Sequence, residues 1–240
     1  MRLLLFNPNT NAGLTESLGH ALSRRLDAND HLHTATAAAG AAFIDSEAAI
    51  AVARAEVATA VNDRAGSTDA VLLGCFGDLG LDGFRRAAAV PMVALSDVCF
   101  AIAPLLGRRL AIVTTSTFWA ERIGADVRRR APGDTIVAAP AIAAPEQMVR
   151  RCRDEIARLA AGGTVDAIVL GGGPLTVLRD ELLATSALPI LDLLGAAVGL
   201  CRALAAGRAD QGRRSTATDC HSAPVSPQGA ASPSMNCSRT

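Results

Sequence analysis

The chain contains itself twice, and this restricts its fold more than any other feature. The stretch DAVLLGCFGD from Asp69 is answered by DAIVLGGGPL from Asp166, VPMVAL (90–95) by LPILDL (188–193), and RLLLFNPNT from Arg2 by RLAIVTTST from Arg109. Three segments recurring in one order at an offset of about one hundred residues mark a duplicated α/β half. One position breaks the symmetry: Cys75 in the first copy corresponds to Gly172 in the second. A site built between two such halves has two faces, of which only one bears a thiol.

Within each copy, short apolar runs alternate with stretches of helical periodicity. Strands are expected over residues 2–6, 34–39, 71–73 and 91–95, and again over 110–113, 136–139, 167–170 and 190–193. Helices are expected over 13–26, 46–62, 81–88 and 98–106, then 119–129, 145–161, 175–183 and 195–206. Thr10 or Asn11 can cap the first of them. This alternation implies parallel sheets covered on both faces, here two doubly wound α/β halves, residues 1–106 and 107–208. Ligands of such sheets bind beyond the carboxyl ends of the strands, where loops 7–10, 74–78, 114–117 and 171–174 fall. Residues 209–240 are polar, rich in Ser, Pro and Ala, and without hydrophobic periodicity, so a disordered tail is expected there.

Half of the 240 residues are hydrophobic and the formal net charge is zero. That leaves no basic footprint for nucleic acid and no electrostatic draw toward an anionic membrane. The apolar run at residues 3–6 stops at Asn7-Pro8, too short for a signal-peptide core or a membrane span, so a cytoplasmic location is expected. Lysine is absent altogether, which excludes an internal Schiff base and with it ordinary pyridoxal-phosphate and aldolase-type imine chemistry. Without a lysine, the glycine run at 171–173 is not a phosphate-binding P-loop. The six cysteines form no close CxxC pair, and the four histidines stand at no zinc-site spacing. No metal is expected, and His31 and His33 are expected to be solvated.

Cys75 sits in the glycine-flanked loop Gly74-Cys75-Phe76-Gly77-Asp78, just before a predicted helix. Backbone N–H groups and the helix dipole are expected to lower its pKa and enrich the thiolate. Cys99, Cys152 and Cys201 fall inside predicted helices and read as small buried hydrophobes. Asn7, Asn9, Thr10, Thr114, Thr115, Ser116 and Thr117 supply short donors at the ends of two equivalent strands. Such donors suit a carboxylate or a planar imide and stabilise negative charge developing beside it. The same residue types also cap helices and form turns.

The set NPNT (7–10), GCFGDLGL (74–81), VPMVAL, RRLAIVTT (108–115), DAIVLGG and LPILD resembles the aspartate/glutamate/hydantoin racemase superfamily, with the hydantoin and allantoin racemase branch the nearest look. The resemblance runs from residue 1 to about 205 and implies two pseudo-symmetric halves with the active site between them. It also implies cofactor-free chemistry in which two cysteines work on opposite faces of a substrate carbon. Cys75 matches the first cysteine, and Gly172 stands where the second belongs. Phe76, Gly172 and Gly173 join the strand-end donors as expected substrate-binding residues. The implied partner is a small-molecule carboxylate or cyclic amide, and a homo-oligomer is expected. Three readings stay open: a racemase or epimerase of an amino acid or cyclic amide (hydantoin-like) derivative, a one-thiol lyase or isomerase resembling arylmalonate decarboxylase or maleate isomerase, and a small-molecule binding protein without catalysis.

Overall fold

Two parallel sheets carry the repeat, in a computed structural model that describes residues 1–64, 66–106, 109–130, 135–140 and 145–219. The first half runs β1 (Arg2–Asn7), α1 (Ala12–Ser23), β2 (His31–Thr36), α2 (Glu47–Arg64), β3 (Ala70–Leu73), α3 (Asp82–Ala87), β4 (Met92–Ala94) and α4 (Leu95–Leu106). The second runs β5 (Leu110–Val113), α5 (Thr117–Arg130), β6 (Ile136–Ala138), a 3-10 turn (Pro145–Gln147), α6 (Met148–Ala161), β7 (Ala167–Leu170), α7 (Gly173–Thr176), α8 (Arg179–Leu183) and α9 (Leu193–Asp219). The sheet orders are β2-β1-β3-β4 and β6-β5-β7, all parallel. A parallel bridge from Ile168 to Ile190 stands where the second sheet would have its fourth strand.

The repeat extends to individual atoms. Arg2 pairs with Asp69 at 2.7 Å, and its equivalent Arg109 pairs with Asp166 at 2.9 Å. Arg85 Nε donates to the Met92 carbonyl and Arg179 Nε to the Ile190 carbonyl, each at 3.2 Å. Gly74 N–H donates to Phe6 and Gly171 N–H to Val113, at 2.8 and 2.7 Å.

Strand side chains alternate between two cores, as the two-residue period of a pleated strand requires. Leu3, Leu5 and Leu72 pack with Leu110, Ile112 and Val169 of the other sheet, together with α1, α4 and the start of α9. Leu4, Phe6, Val71 and Leu73 face outward onto Ile50, Ala53 and Val57 of α2. Ala111, Val113, Ile168 and Leu170 do the same onto Cys152, Ile156 and Leu159 of α6. The central core thus draws on both halves, and Met1–Ala206 forms one compact unit rather than two separable domains.

A second unit begins at Gly207, and α9 is helical on to Asp219. The helix therefore enters the segment expected to lack structure from Ala209, because extending a formed helix costs far less than nucleating one. Residues 220–240, with Cys220 and Cys237, lie outside the described residues. No helix among the described residues is long and apolar enough to cross a membrane.

Candidate active site

Four loops at the carboxyl ends of β1, β3, β5 and β7 enclose a cavity of about 460 Å³. The β1 loop contributes Asn9, the β3 loop Gly74 to Gly77 including Cys75, the β5 loop Thr115 and Ser116, and the β7 loop Gly171 to Pro174. The two halves thus meet in the cavity through equivalent segments. One close approach between them uses the absence of a side chain: a Cβ on Gly173 would lie 2.8 Å from the Gly74 carbonyl oxygen.

Cys75 is partly exposed and faces this space; the other described cysteines are buried. Burial pushes its thiol up to about 11, against a weaker pull downward from the Gly77 backbone N–H, and Asp78 adds a further push upward. The thiol's pKa is thus raised, contrary to the lowering expected for it. Helix α3 begins only at Asp82, so its dipole does not sit directly behind the sulfur, and desolvation dominates.

The loop is fixed on its far side. Asp78 accepts from Gly80 N–H at 2.7 Å and faces Arg129 of α5 at 3.4 Å, while Arg129 also pairs with Asp126. Gly80 has φ +71°, a left-handed conformation that glycine adopts without strain. Inside the loop, Gly77 lies against the Trp119 ring, and the Trp119 indole N–H donates to the Ile44 carbonyl at 2.7 Å.

The strand-end donors divide into those that face the cavity and those the fold consumes. Asn9, Thr115 and Ser116 face it, as do Phe76, Gly172 and Gly173. Asn9 Oδ1 accepts from Asn7 Nδ2 at 2.9 Å and from Asn11 N–H at 3.0 Å, which leaves Asn9 Nδ2 as its free donor. Ser116 Oγ accepts from Trp119 N–H, so its own proton remains to donate.

Asn7, Thr10, Thr114 and Thr117 do not line the cavity, contrary to expectation. Asn7 is fully buried and donates to Asn9 and Thr15, so it positions Asn9 instead. Thr114 is equally buried and its hydroxyl donates to the Gly171 carbonyl at 2.7 Å, tying the β5 loop to the β7 loop. Thr10 N–H donates to the Ala41 carbonyl, and Thr117 is the first residue of α5.

Several lining residues were not singled out in the sequence: Phe43, Ile44 and Asp45 from the β2–α2 connection, Leu14 of α1, Trp119 of α5 and Met148 of α6. Leu14, Trp119 and Met148 read as ordinary core or helix positions, and the connection carries no motif. His31 and His33 are exposed on β2. No cluster of metal-ligating side chains forms among the described residues.

The model of the Asp/Glu/hydantoin racemase family matches residues 3–201. A hydantoin racemase from Rhizobium meliloti is 27% identical over 221 residues, covering 85% of this chain and 88% of that one. Among solved structures, the allantoin racemase from Klebsiella pneumoniae superposes with a TM-score of 0.76 at 24% identity, covering 86% of this chain and 88% of the other. Arylmalonate decarboxylase shares the fold more distantly, with a TM-score of 0.62 at 17% identity over 86% of this chain and 93% of its own.

Proposed function

The chain belongs to the Asp/Glu/hydantoin racemase family and is an enzyme of the isomerase type, and on that footing we propose that it racemises a hydantoin-like cyclic amide without a cofactor, with Cys75 as its acid/base. The observation that carries this is one thiol in a cavity closed by equivalent loops of two halves, with neutral donors beside it. A cavity of this size suits a small ring with one substituent. The carbon-bound proton next to a ring carbonyl becomes acidic when the resulting enolate oxygen is held by donors. Asn9 Nδ2, Thr115 and Ser116 supply these.

The Cys75 thiolate takes the proton from carbon and becomes the thiol, leaving the enolate. Gly172 has no side chain with which to reprotonate the opposite face. Water in the cavity gives a proton there, and the hydroxide left behind takes the proton from the Cys75 thiol. A cytoplasmic homo-oligomer is the setting in which we place this reaction.

A second reading is favoured by two observations together, the bare Gly172 position and a thiol pushed up to about 11. A group held protonated is suited to donate, as in a one-thiol lyase that protonates an enediolate after carbon dioxide leaves. NMR of enantiopure 5-substituted hydantoins and a disubstituted malonate in deuterated water tests both. Racemisation predicts deuterium at the ring carbon with loss of optical rotation. Release of carbon dioxide with deuterium on one face only would establish the lyase, and no exchange in any compound would sink both.

A further inference from the structure

The charge inventory of the cavity reaches beyond the reaction to the substituent that the substrate carries. Among the described residues, no arginine or histidine lines it, and Asp45 at its wall is the one ionised side chain. Asp45 is exposed, and among the described residues no hydrogen bond or ion pair holds its carboxylate. Its neighbour Glu47 is already taken by Arg122. On the Cys75 loop, Asp78 does not line the cavity and faces Arg129, which it shares with Asp126, and part of its charge is felt at Cys75. The remaining wall near Asp45 is aromatic and apolar: Phe43, itself 51% exposed, with Ile44 and Trp119.

An anionic substituent would meet an unpaired carboxylate and, among the described residues, no lining cation, whereas a cation would be drawn by Asp45 and by the aromatic rings. We propose that Asp45 makes this cavity selective for substrates whose substituent is cationic or an amine donor, and that it turns away those bearing a carboxylate. This rests on the Cys75 cavity being the substrate site, so the test reads the cavity's field without any turnover.

The full-length protein is treated at low ionic strength with methanethiosulfonate reagents of matched size bearing a trimethylammonium, a neutral or a sulfonate group. Modification at Cys75 is followed by peptide-resolved mass spectrometry, and each rate is divided by that of a free small thiol. For a unit charge lining the same cavity in a high-dielectric setting, the cationic reagent should outpace the anionic one by about fivefold or more. Asp45→Asn, which removes the charge and keeps the shape, should lower that ratio by about twofold or more, the remainder being owed to Asp78 beside Cys75. A ratio near one in the wild type, an unchanged ratio in Asp45→Asn, or no reaction of Cys75 with any reagent would each overturn the proposal. Failure of the racemase reading would show instead in the deuterium experiment, with this ratio intact.

Discussion

At the scale of single residues, the state of Cys75 decides what the cavity can do. Its folded pKa is raised by burial to about 11, so at neutral pH it is a thiol, with a thiolate fraction on the order of one in ten thousand. A reaction that begins by removing a proton needs the thiolate. Its rate should rise about tenfold per pH unit from pH 7 and level off near the thiol's pKa. A reaction in which Cys75 only donates needs the thiol, and its rate should stay flat and then fall as the pH passes about 11. A pH profile of isotope exchange therefore separates the racemase from the lyase by the sign of its slope. Cys75→Ser should abolish either activity, since a hydroxyl is far weaker as an acid and as a nucleophile. It should shift stability by less than about 1 kcal/mol, because the side chain borders a cavity and makes no structural bond beyond the loop. A mutant that kept most of the wild-type rate would remove Cys75 from the mechanism.

At the scale of elements, the contact between Gly77 and Trp119 couples the Cys75 loop to α5 and to the β2–α2 connection. A Cβ on Gly77 would fall 1.9 Å from Trp119 Cζ3, and that ring is held by its bond to Ile44 and by an edge contact with Phe118. Gly77→Ala should cost about 1–3 kcal/mol through overpacking. A displacement of the loop by about 1 Å should lower turnover by up to about a hundredfold. Gly83→Ala on α3, where nothing lies within 4 Å, is the control and should leave both the melting temperature and turnover near wild type. Equal behaviour of the two variants would show that the ring does not set the loop. This coupling was not legible in the sequence, whereas the buried strands were. Runs such as LLLF and AIVL have few other uses, and their strands lie where they were expected. Asn11 caps α1 by accepting from Leu14 N–H, one of the two alternatives open beforehand. Trp119, Leu14 and Met148 have the spacing of ordinary helix positions, and only the tertiary arrangement turns them toward the cavity. The start of α3 was legible to within a residue, expected at 81 and found at Asp82, but its separation from Cys75 was underweighted: Gly80 and a hydrogen bond to Asp78 extend the loop past the residues that carry its motif. That extension is why the thiol lacks the dipole expected for it.

At the scale of the whole molecule, the internal repeat becomes a pseudo-symmetric pair of sheets around a shared core, and the break between Cys75 and Gly172 faces the cavity. Gly172 is not required by its backbone: φ is 176°, an extended conformation open to any residue. A Cβ there would find Thr115 Cγ2 at 3.7 Å and Pro174 Cδ at 3.9 Å, which are ordinary contacts. Cysteine can therefore be placed at residue 172 with little strain, in contrast to Gly173, where the Gly74 carbonyl oxygen leaves no room. By the repeat, residue 172 occupies in the second half the place that Cys75 occupies in the first. Gly172→Cys should thus supply the bare face with an acid/base of its own. Exchange of the carbon-bound proton should rise by about tenfold or more, the lower end of what a placed acid or base contributes. The gain should appear only in the presence of Cys75, so Cys75→Ser combined with Gly172→Cys should lose it. Binding, measured by protection of Cys75 from alkylation, must persist for the comparison to hold, and the modest contacts at Thr115 and Pro174 indicate that it will. If the variant binds as well as wild type yet exchanges no faster, the two positions do not address opposite faces of one carbon. The symmetry of the fold would then not extend to its chemistry.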